Sequence, residues 1–166
     1  MALGQSVQTS VSQYAGARYK GQIDTLQINN VTDAILDTAV AGFGVPLART
    51  ATGVKPFTLV GDAFAGIAVR KATVLNTYDS NVAPTYAIGS SVAILNMGYI
   101  VVEAESAVVK GGSVFIRYAA GAGGTVLGAI RADADTATAV EVPGVIFAES
   151  ASAGELVRVA ITRIFE

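Results

Sequence analysis

The sequence contains no histidine and no cysteine among its 166 residues. Without histidine, the chain cannot build a Ser-His-Asp triad, a histidine general base or a histidine-ligated metal site. Without cysteine, it cannot build a disulfide framework, a thiol nucleophile or a thiolate zinc site. These two absences exclude most hydrolytic mechanisms and leave carboxylate chemistry as the main enzymatic alternative.

Charged side chains are also scarce. Lys, Arg, Asp and Glu make up 14% of the chain, whereas ordinary soluble domains contain roughly 25%. The hydrophobic share is 52%, so the apolar excess is expected to be buried against copies of the chain or against a larger partner. The net charge is −2, and the Lys and Arg residues are dispersed along the chain. They form no basic stripe, so we expect no nucleic-acid partner.

Long apolar runs are absent as well. A membrane-spanning helix needs roughly 18–20 consecutive apolar residues, and residues 99–102 are among the longest unbroken stretches in this chain. The opening residues, MALGQS, have neither the basic nor the apolar region of a secretory signal. We therefore expect no membrane partner and synthesis in the cytoplasm.

The sequence does contain a series of short runs of β-branched and aromatic residues bounded by Gly, Asn or Pro. Such runs, at intervals of about ten residues, predict an all-β fold: an antiparallel β-sandwich or barrel, jelly-roll-like. Residues 90–95, 99–104 and 113–118 together predict a three-strand meander. Because side chains alternate across a strand, Ile100 and Val102 are expected to share one buried face.

Residues 1–20 differ from the rest of the chain because they are polar, small and without periodicity. A segment of this composition cannot pack a core by itself. We therefore predict an extended N-terminal arm, residues 1–20, followed by a single β domain, residues 21–166. The arm is either a free terminus or a docking segment that becomes ordered on a partner. Residues 76–84 are predicted to form a polar surface loop.

Three motifs are candidates for chemistry. Glu103 and Glu105 could place two carboxylates roughly 6–7 Å apart on one strand face, near the spacing of glycosidases, but solvated strand charges are the simpler interpretation. Residues 131–136 resemble the opening of a calcium loop, yet they lack its glycine and distal glutamate, which favours a surface loop. Residues 121–124 lack the Lys-Ser/Thr of a phosphate loop and indicate a flexible turn. We predict no catalytic residue, metal site or cofactor.

Several strand and turn segments, in this order along the chain, resemble the cement (head decoration) proteins of tailed bacteriophages. The segments are YKGQI (19–23), GFGVPL (42–47), FAGIAVR (64–70), YAIGSSVAIL (86–95), GYIVV (98–102) and VVKGGSV (108–114). The resemblance spans residue 19 to about residue 118. It is carried by strand and turn signatures rather than by a catalytic fingerprint.

The resemblance implies a non-enzymatic structural protein of the virion, located on the capsid exterior. Its implied partners are the major capsid protein, whose neighbouring subunits it would staple together, and further copies of itself in a homo-oligomer, a trimer or dimer. The alternative is a carbohydrate-binding β-sandwich of a phage tail or surface, which would favour exposed Trp, and the sequence has none.

Two segments are the candidate contacts under this interpretation. The arm would act as a strap across the capsid or onto a neighbour in its own oligomer, and the loop would make an edge contact. The residues concerned are Val7, Val11, Tyr14, Arg18 and Tyr19 in the arm, and Tyr78, Asp79 and Asn81 in the loop.

Overall fold

The computed structural model describes residues 18–39, 41–71 and 85–162. Within these ranges the chain forms strands, turns and bends without a helix, so the all-β prediction is confirmed. No helix long and apolar enough to cross a membrane occurs among them. The strands are β1 (Asn30–Ile35), β2 (Ala41–Gly42), β3 (Pro46–Arg49), β4 (Val54–Pro56), β5 (Phe64–Ala68), β6 (Thr85–Tyr86), β7 (Ser91–Glu103), β8 (Ser113–Arg117), β9 (Ile130–Arg131), β10 (Ala139–Phe147) and β11 (Leu156–Ile161).

Strand β7 is the longest strand and lies at the centre of the sheet. Its N-terminal half pairs with two strands at once, because Ile94 lies opposite Thr32 of β1 and opposite Ala68 of β5. Its C-terminal half pairs with β11, where Val159 lies opposite Ile100. Residues 21–24 occupy the other edge of that half, through a bridge between Ile23 and Ile100. Both halves of β7 are therefore paired on both edges.

The predicted meander is wrong. Residues 90–95 and 99–104 belong almost entirely to one strand, β7, instead of two strands joined by a turn. Strand β8, the third predicted run, pairs with β9 and β10 and makes no ladder with β7. Residues 96–98 form an irregularity within β7, where Gly98 has a φ of +125°. The sequence predicts a turn here because glycine is common both in turns and in bulges, and Gly98 lies within a strand.

This irregularity changes which side chains of β7 face the core. Before it, Ala93 and Leu95 pack into the larger core, and after it Ile100 and Val102 pack into the same core. The residues that face this core are thus odd-numbered before the irregularity and even-numbered after it. Side chains in an uninterrupted strand alternate with a period of two, so a shift of one position is required. The expectation that Ile100 and Val102 share a buried face is confirmed.

The main sheet is antiparallel throughout and curls on itself. Its strand order is β4-β3-β5-β7-β11-β10-β8-β9, with β1 added to β7, and β2 and β6 form a separate pair. Leu36, immediately after β1, forms a bridge with Val54 of β4, so the two sides of the curled sheet meet. A smaller core that includes Leu36, Leu47, Val54 and Ile94 fills the curl. The larger core contains side chains from β3, β5, β7, β8, β9, β10 and β11.

At Gly66, strand β5 approaches the backbone of β7 closely. An added Cβ there would lie 2.3 Å from the carbonyl oxygen of Leu95 on β7, and the φ of Gly66 is +140°. Because the obstacle is backbone and the conformation is left-handed, no rotamer change relieves the clash.

We therefore expect Gly66→Ala to lower the free energy of unfolding by at least about 2 kcal/mol, measured by urea denaturation. The matched control is Gly61→Ala, since a Cβ at Gly61 would meet nothing within 4 Å. Equal stability of the two variants would contradict the described β5–β7 contact.

Candidate functional site

The root of the predicted arm is attached to the β domain. The guanidinium of Arg18 makes two hydrogen bonds to the carboxylate of Glu149. The guanidinium of Arg70 stacks 4.5 Å from the centre of the Tyr19 ring, and Tyr19 stays 50% exposed. Arg18 and Tyr19 are therefore held against the domain.

Residues 21–24, after this root, run alongside β7 and are joined to it by backbone hydrogen bonds and one bridge. Gly21 donates a backbone hydrogen bond to Val101 at 2.8 Å, and Asp24 donates one to Tyr99 at 3.0 Å. Lys20 forms an ion pair with Glu103 at 2.6 Å. This segment covers the free edge of the C-terminal half of β7.

Only two of the eight predicted contact residues fall within the described ranges. These are Arg18 and Tyr19, and both contact their own chain. The other six, Val7, Val11, Tyr14, Tyr78, Asp79 and Asn81, lie outside the described residues. Their role as contacts stays a prediction.

A buried ion-pair cluster is the main polar feature that the sequence analysis did not predict. Arg117 is fully buried and Arg131 is 4% exposed. The Nε of Arg117 donates to both carboxylate oxygens of Glu105 at 2.9 Å, and its Nη2 donates to Asp135 at 2.8 Å. The Nη1 of Arg131 lies 3.1 Å from Glu105 and 3.0 Å from Asp135. Two arginines and two carboxylates thus neutralise one another inside the domain, as buried charges require.

The glycine-rich bend at residues 119–124 packs directly against this cluster. A Cβ on Gly121 would lie 2.5 Å from an oxygen of Asp135, and one on Gly124 would lie 2.0 Å from an oxygen of Glu105. The bend closes with a hydrogen bond of 2.9 Å from the Gly121 amide to the Gly124 carbonyl. The glycines therefore permit a close approach to the ion pairs, which the prediction of a flexible turn did not include.

The segment that supplies Asp135 has an unusual backbone. Asp135, Thr136 and Ala137 all have positive φ values, of 42°, 56° and 64°, a conformation that costs energy for residues other than glycine. Local hydrogen bonds offset this cost, including 2.8 Å from Thr138 Oγ1 to the Asp135 carbonyl and 2.8 Å from the Asp135 amide to Asp133. The turn holds the Asp135 carboxylate against Arg117.

The two candidate carboxylates line the same groove but have different ionic partners. Glu103 pairs with Lys20 at the surface, whereas Glu105 lies beyond the end of β7 and binds Arg117 and Arg131. Each carboxylate is therefore neutralised by its own cationic partner. The interpretation as solvated strand charges holds for Glu103 and is wrong for Glu105, whose side chain is 13% exposed.

The calcium-like motif is also used for ion pairing. Asp133 accepts a hydrogen bond from Arg131 at 2.8 Å, and Asp135 accepts from Arg117. Among the described residues, no group of three or more acidic side chains is arranged to hold a metal ion.

Apolar side chains on exposed loops form the candidate interaction surface. Leu26 is 91% exposed, Ile28 84% and Val126 68%. The other large apolar residues that are half exposed or nearly so are Tyr19, Ile35, Leu59, Val60, Ile88, Val109 and Leu127. Val126 and Leu127 also border a groove lined by Phe43, Val45 and Ile130, with the Lys20–Glu103 pair at its edge. Exposed apolar side chains are therefore present, and most of them lie outside the strands.

Comparison with known proteins shows a family match and similar solved structures. Residues 7–162 match the family model described as structural cement protein (E217 gp24/Pam3 gp6). A chain in the solved capsid of the Myoviridae phage XM1 has a similar fold, with a TM-score of 0.73 at 18% sequence identity over 99% of both chains. No curated protein matches the sequence.

The buried cluster generates a prediction about stability. Arg117→Met removes a fully buried cation and leaves Glu105 and Asp135 without it. Breaking a buried pair from one side costs about 3–5 kcal/mol, so we expect a loss of that size in the free energy of unfolding, measured by urea denaturation.

The matched control is Glu103→Gln, which breaks an ion pair whose partners are both about half exposed. An exposed pair contributes at most about 1 kcal/mol. A loss for Arg117→Met no greater than that of the control would contradict the burial of the cluster.

The cluster also predicts a dependence on pH. The hydrogen bond from Arg117 holds the pKa of Asp135 below its ordinary value of 3.8. The folded state therefore binds this proton less readily than the unfolded chain. The stabilisation is complete above the unfolded pKa and is lost as the pH falls through the lower folded pKa.

We expect Asp135→Asn to be less stable than the parent at neutral pH and to lose less stability on acidification below about pH 4. Thermal unfolding followed between neutral pH and pH 2 measures this difference. Glu141→Gln, at an exposed carboxylate of β10, serves as the control. If Asp135→Asn and the parent lost stability in parallel on acidification, the assignment to Asp135 would be wrong.

Proposed function

The chain belongs to the family of phage structural cement proteins, and we propose that it binds the outer surface of the assembled capsid and cements neighbouring major capsid subunits. The observation that carries the proposal is the extent of the family match, from residue 7 to residue 162. It covers most of the predicted arm as well as the β domain.

The physical basis of cementing is preferential binding to the assembled lattice. A molecule that binds the lattice and does not bind free subunits shifts the assembly equilibrium towards the intact shell. A molecule that touches two or three subunits gains effective concentration after its first contact, so modest contacts together give durable attachment. The exposed Leu59, Val60, Val126 and Leu127 are suited to such contacts because they bury apolar surface on binding.

In this proposal the arm acts as a strap. Its root is held by the bonds of Arg18 to Glu149 and by the stacking of Tyr19 with Arg70, so the position at which the arm would join the domain is fixed. Seventeen residues in a fully extended chain span at most about 56–61 Å, which is the upper limit on the reach of the strap. Val7, Val11 and Tyr14 would supply the apolar contacts.

Two further contacts complete the proposal. The loop with Tyr78, Asp79 and Asn81 would meet the edge of a capsid subunit. Copies of the protein would associate with one another as a dimer or trimer, and the arm could also cross to such a copy.

A structural role without catalysis agrees with the chemistry of the described residues. The family is one of structural phage proteins. The carboxylates that first suggested acid–base chemistry, Glu103 and Glu105, are neutralised by Lys20, Arg117 and Arg131. The proposed location is the exterior of the virion, after synthesis in the host cytoplasm.

A decoration assay tests the proposal. Purified protein is added to capsid shells that lack it, and bound protein is measured by co-sedimentation together with the temperature at which the shells break. We expect saturable binding and a higher rupture temperature. Shells that neither bind the protein nor gain heat resistance would refute the cement function.

Deletion of residues 2–17 tests the strap separately. We expect lower occupancy and a smaller gain in rupture temperature, with an unchanged melting temperature of the isolated protein. The control replaces the deleted segment with a Gly/Ser segment of equal length, which preserves length and removes Val7, Val11 and Tyr14. Unchanged occupancy for both variants would reject the strap while leaving the cement function intact.

A further inference from the structure

Strand β1 leaves one of its edges open beside a cavity. In the described sheet β1 pairs with β7 alone, and the chain meets β4 only at Leu36, after β1 has ended. The Leu36 amide donates to Ser90, so the even-numbered residues of β1 bond towards β7. Because bonding alternates along an antiparallel strand, the backbone groups of Val31 and Asp33 point towards the open edge.

The cavity lies between this edge and the turn that joins β3 to β4. Its volume is about 590 Å³, and Thr32, Asp33 and Ala34 line it on the β1 side. Neighbouring side chains of a strand point to opposite faces, so three consecutive lining residues indicate that the cavity opens along the edge of the strand. An additional strand can therefore approach β1 from this side.

The wall of the cavity combines aliphatic side chains with one unpaired amide. Ala34, Val54, Ala65 and Ile94 line it and belong to the smaller core or pack against it. Asn96 also lines it, is 5% exposed, and has a buried Oδ1 without a hydrogen-bond partner among the described residues. A buried acceptor without a donor is unfavourable. Because an Asn amide can turn about its last side-chain bond, a donor in the cavity can supply the missing bond.

The charged residues of the wall already have partners. Asp33 forms an ion pair with Lys71 at 2.7 Å, and Arg49 is likewise engaged. A charged occupant would be buried here without a partner of its own, which is costly. The cavity therefore suits an uncharged segment that carries aliphatic side chains and one hydroxyl or amide donor.

The N-terminal arm contains a segment of this kind. Residues 1–17 include no Lys, Arg, Asp or Glu, and residues 6–12 read SVQTSVS. In an extended chain Val7, Thr9 and Val11 share one face, which places a hydroxyl between two aliphatic side chains. The opposite face is entirely polar and suits solvent; it consists of Ser6, Gln8, Ser10 and Ser12.

Two adjacent residues connect the root of the arm with the wall of the cavity. The Tyr19 ring stacks 4.5 Å from the guanidinium of Arg70, and the next residue, Lys71, is the partner of Asp33. Residues 12–18 in extended form span up to about 20 Å. This is the length of chain available to bring residues 7–11 from the root to the cavity.

We propose that, in the free protein, residues 7–11 add to the open edge of β1 of the same chain as a further strand. Val7 and Val11 would cover the aliphatic wall, and the hydroxyl of Thr9 would donate to Asn96. Addition of an extended segment to an exposed strand edge is a general mode of peptide binding. It would also cover an open edge, which is otherwise a site of unwanted association in β proteins.

Docking of the arm has a consequence for capsid binding, and this consequence rests on the proposed strap. Val7 and Val11 are among the proposed contacts of the strap, and they cannot cover the cavity and the capsid at the same time. The arm would therefore leave β1 when it binds a shell, so the capsid surface competes with the cavity for the arm. Until a shell is present, docking keeps both valines away from water.

Amide hydrogen exchange of the free protein, resolved by NMR, tests the docking. We expect the amides of Val31 and Asp33 to be protected in the parent, because they would bond to the added strand. Val7→Asp combined with Val11→Asp places two charges on the inward face of the arm, so exchange at these amides should become at least about tenfold faster. The amide of Thr32, which faces β7, is the internal reference and should stay protected.

The matched control is Ser6→Asp with Ser10→Asp, which places the same two charges on the outward face and should leave the protection unchanged. Unprotected amides at Val31 and Asp33 in the parent would overturn the proposal, and so would protection that survives in the Val7/Val11 variant. Protection that rises with protein concentration would assign the edge to another copy and reject docking within the chain. No shells are used, so failure here is distinct from failure of the cement function.

A double-mutant cycle tests the bond between Thr9 and Asn96. Thr9→Val keeps the shape of the side chain and removes the hydroxyl, so exchange at Val31 should become about two- to tenfold faster. In the background of Asn96→Leu, which has a similar volume and lacks the acceptor, Thr9→Val should have no effect on this exchange. An effect of equal size in both backgrounds would contradict the bond.

Discussion

The two-sided pairing of β7 is the constraint on which the rest of the structure depends. Its N-terminal half holds β1 and β5, and its C-terminal half holds β11 and residues 21–24. In an uninterrupted strand, the side chains on one face are all odd-numbered or all even-numbered. In β7, however, the residues that face the larger core are odd-numbered up to Leu95 and even-numbered from Ile100. A regular strand could therefore not place all of them in the same core. The irregularity at residues 96–98 resolves this conflict, and it also provides the position for Asn29.

The scarcity of charged residues has a second consequence, which concerns where the charges lie. The chain has 24 charged residues, 11 basic and 13 acidic, and four of them, Glu105, Arg117, Arg131 and Asp135, lie within the domain. Their burial further reduces the charge available to the surface. The loops are then left with exposed aliphatic residues such as Leu26, Ile28 and Val126, which is reasonable for a protein of a family that works in an assembly.

The sequence was sufficient to predict the all-β class, the inward face of Ile100 and Val102, and the kinship with cement proteins, because these depend on local alternation and on short strand signatures. It did not show which strands pair with β7 and which with β8, because a glycine at a bulge and a glycine at a turn look alike in sequence. It also missed the ion-pair cluster: Glu105, Arg117 and Asp135 are distant in sequence, and nothing local shows that they meet. The aliphatic residues of LQINN, alternating with polar ones, were the available signal for the exposed Leu26 and Ile28.

The central claim is that the β domain bridges capsid subunits from outside. Electron cryomicroscopy of shells decorated with the purified protein tests it most directly. The account predicts density for the curled β domain on the outer surface, in contact with at least two major capsid subunits at each site. Density on the inner surface, or outer density that touches one subunit alone, would contradict it.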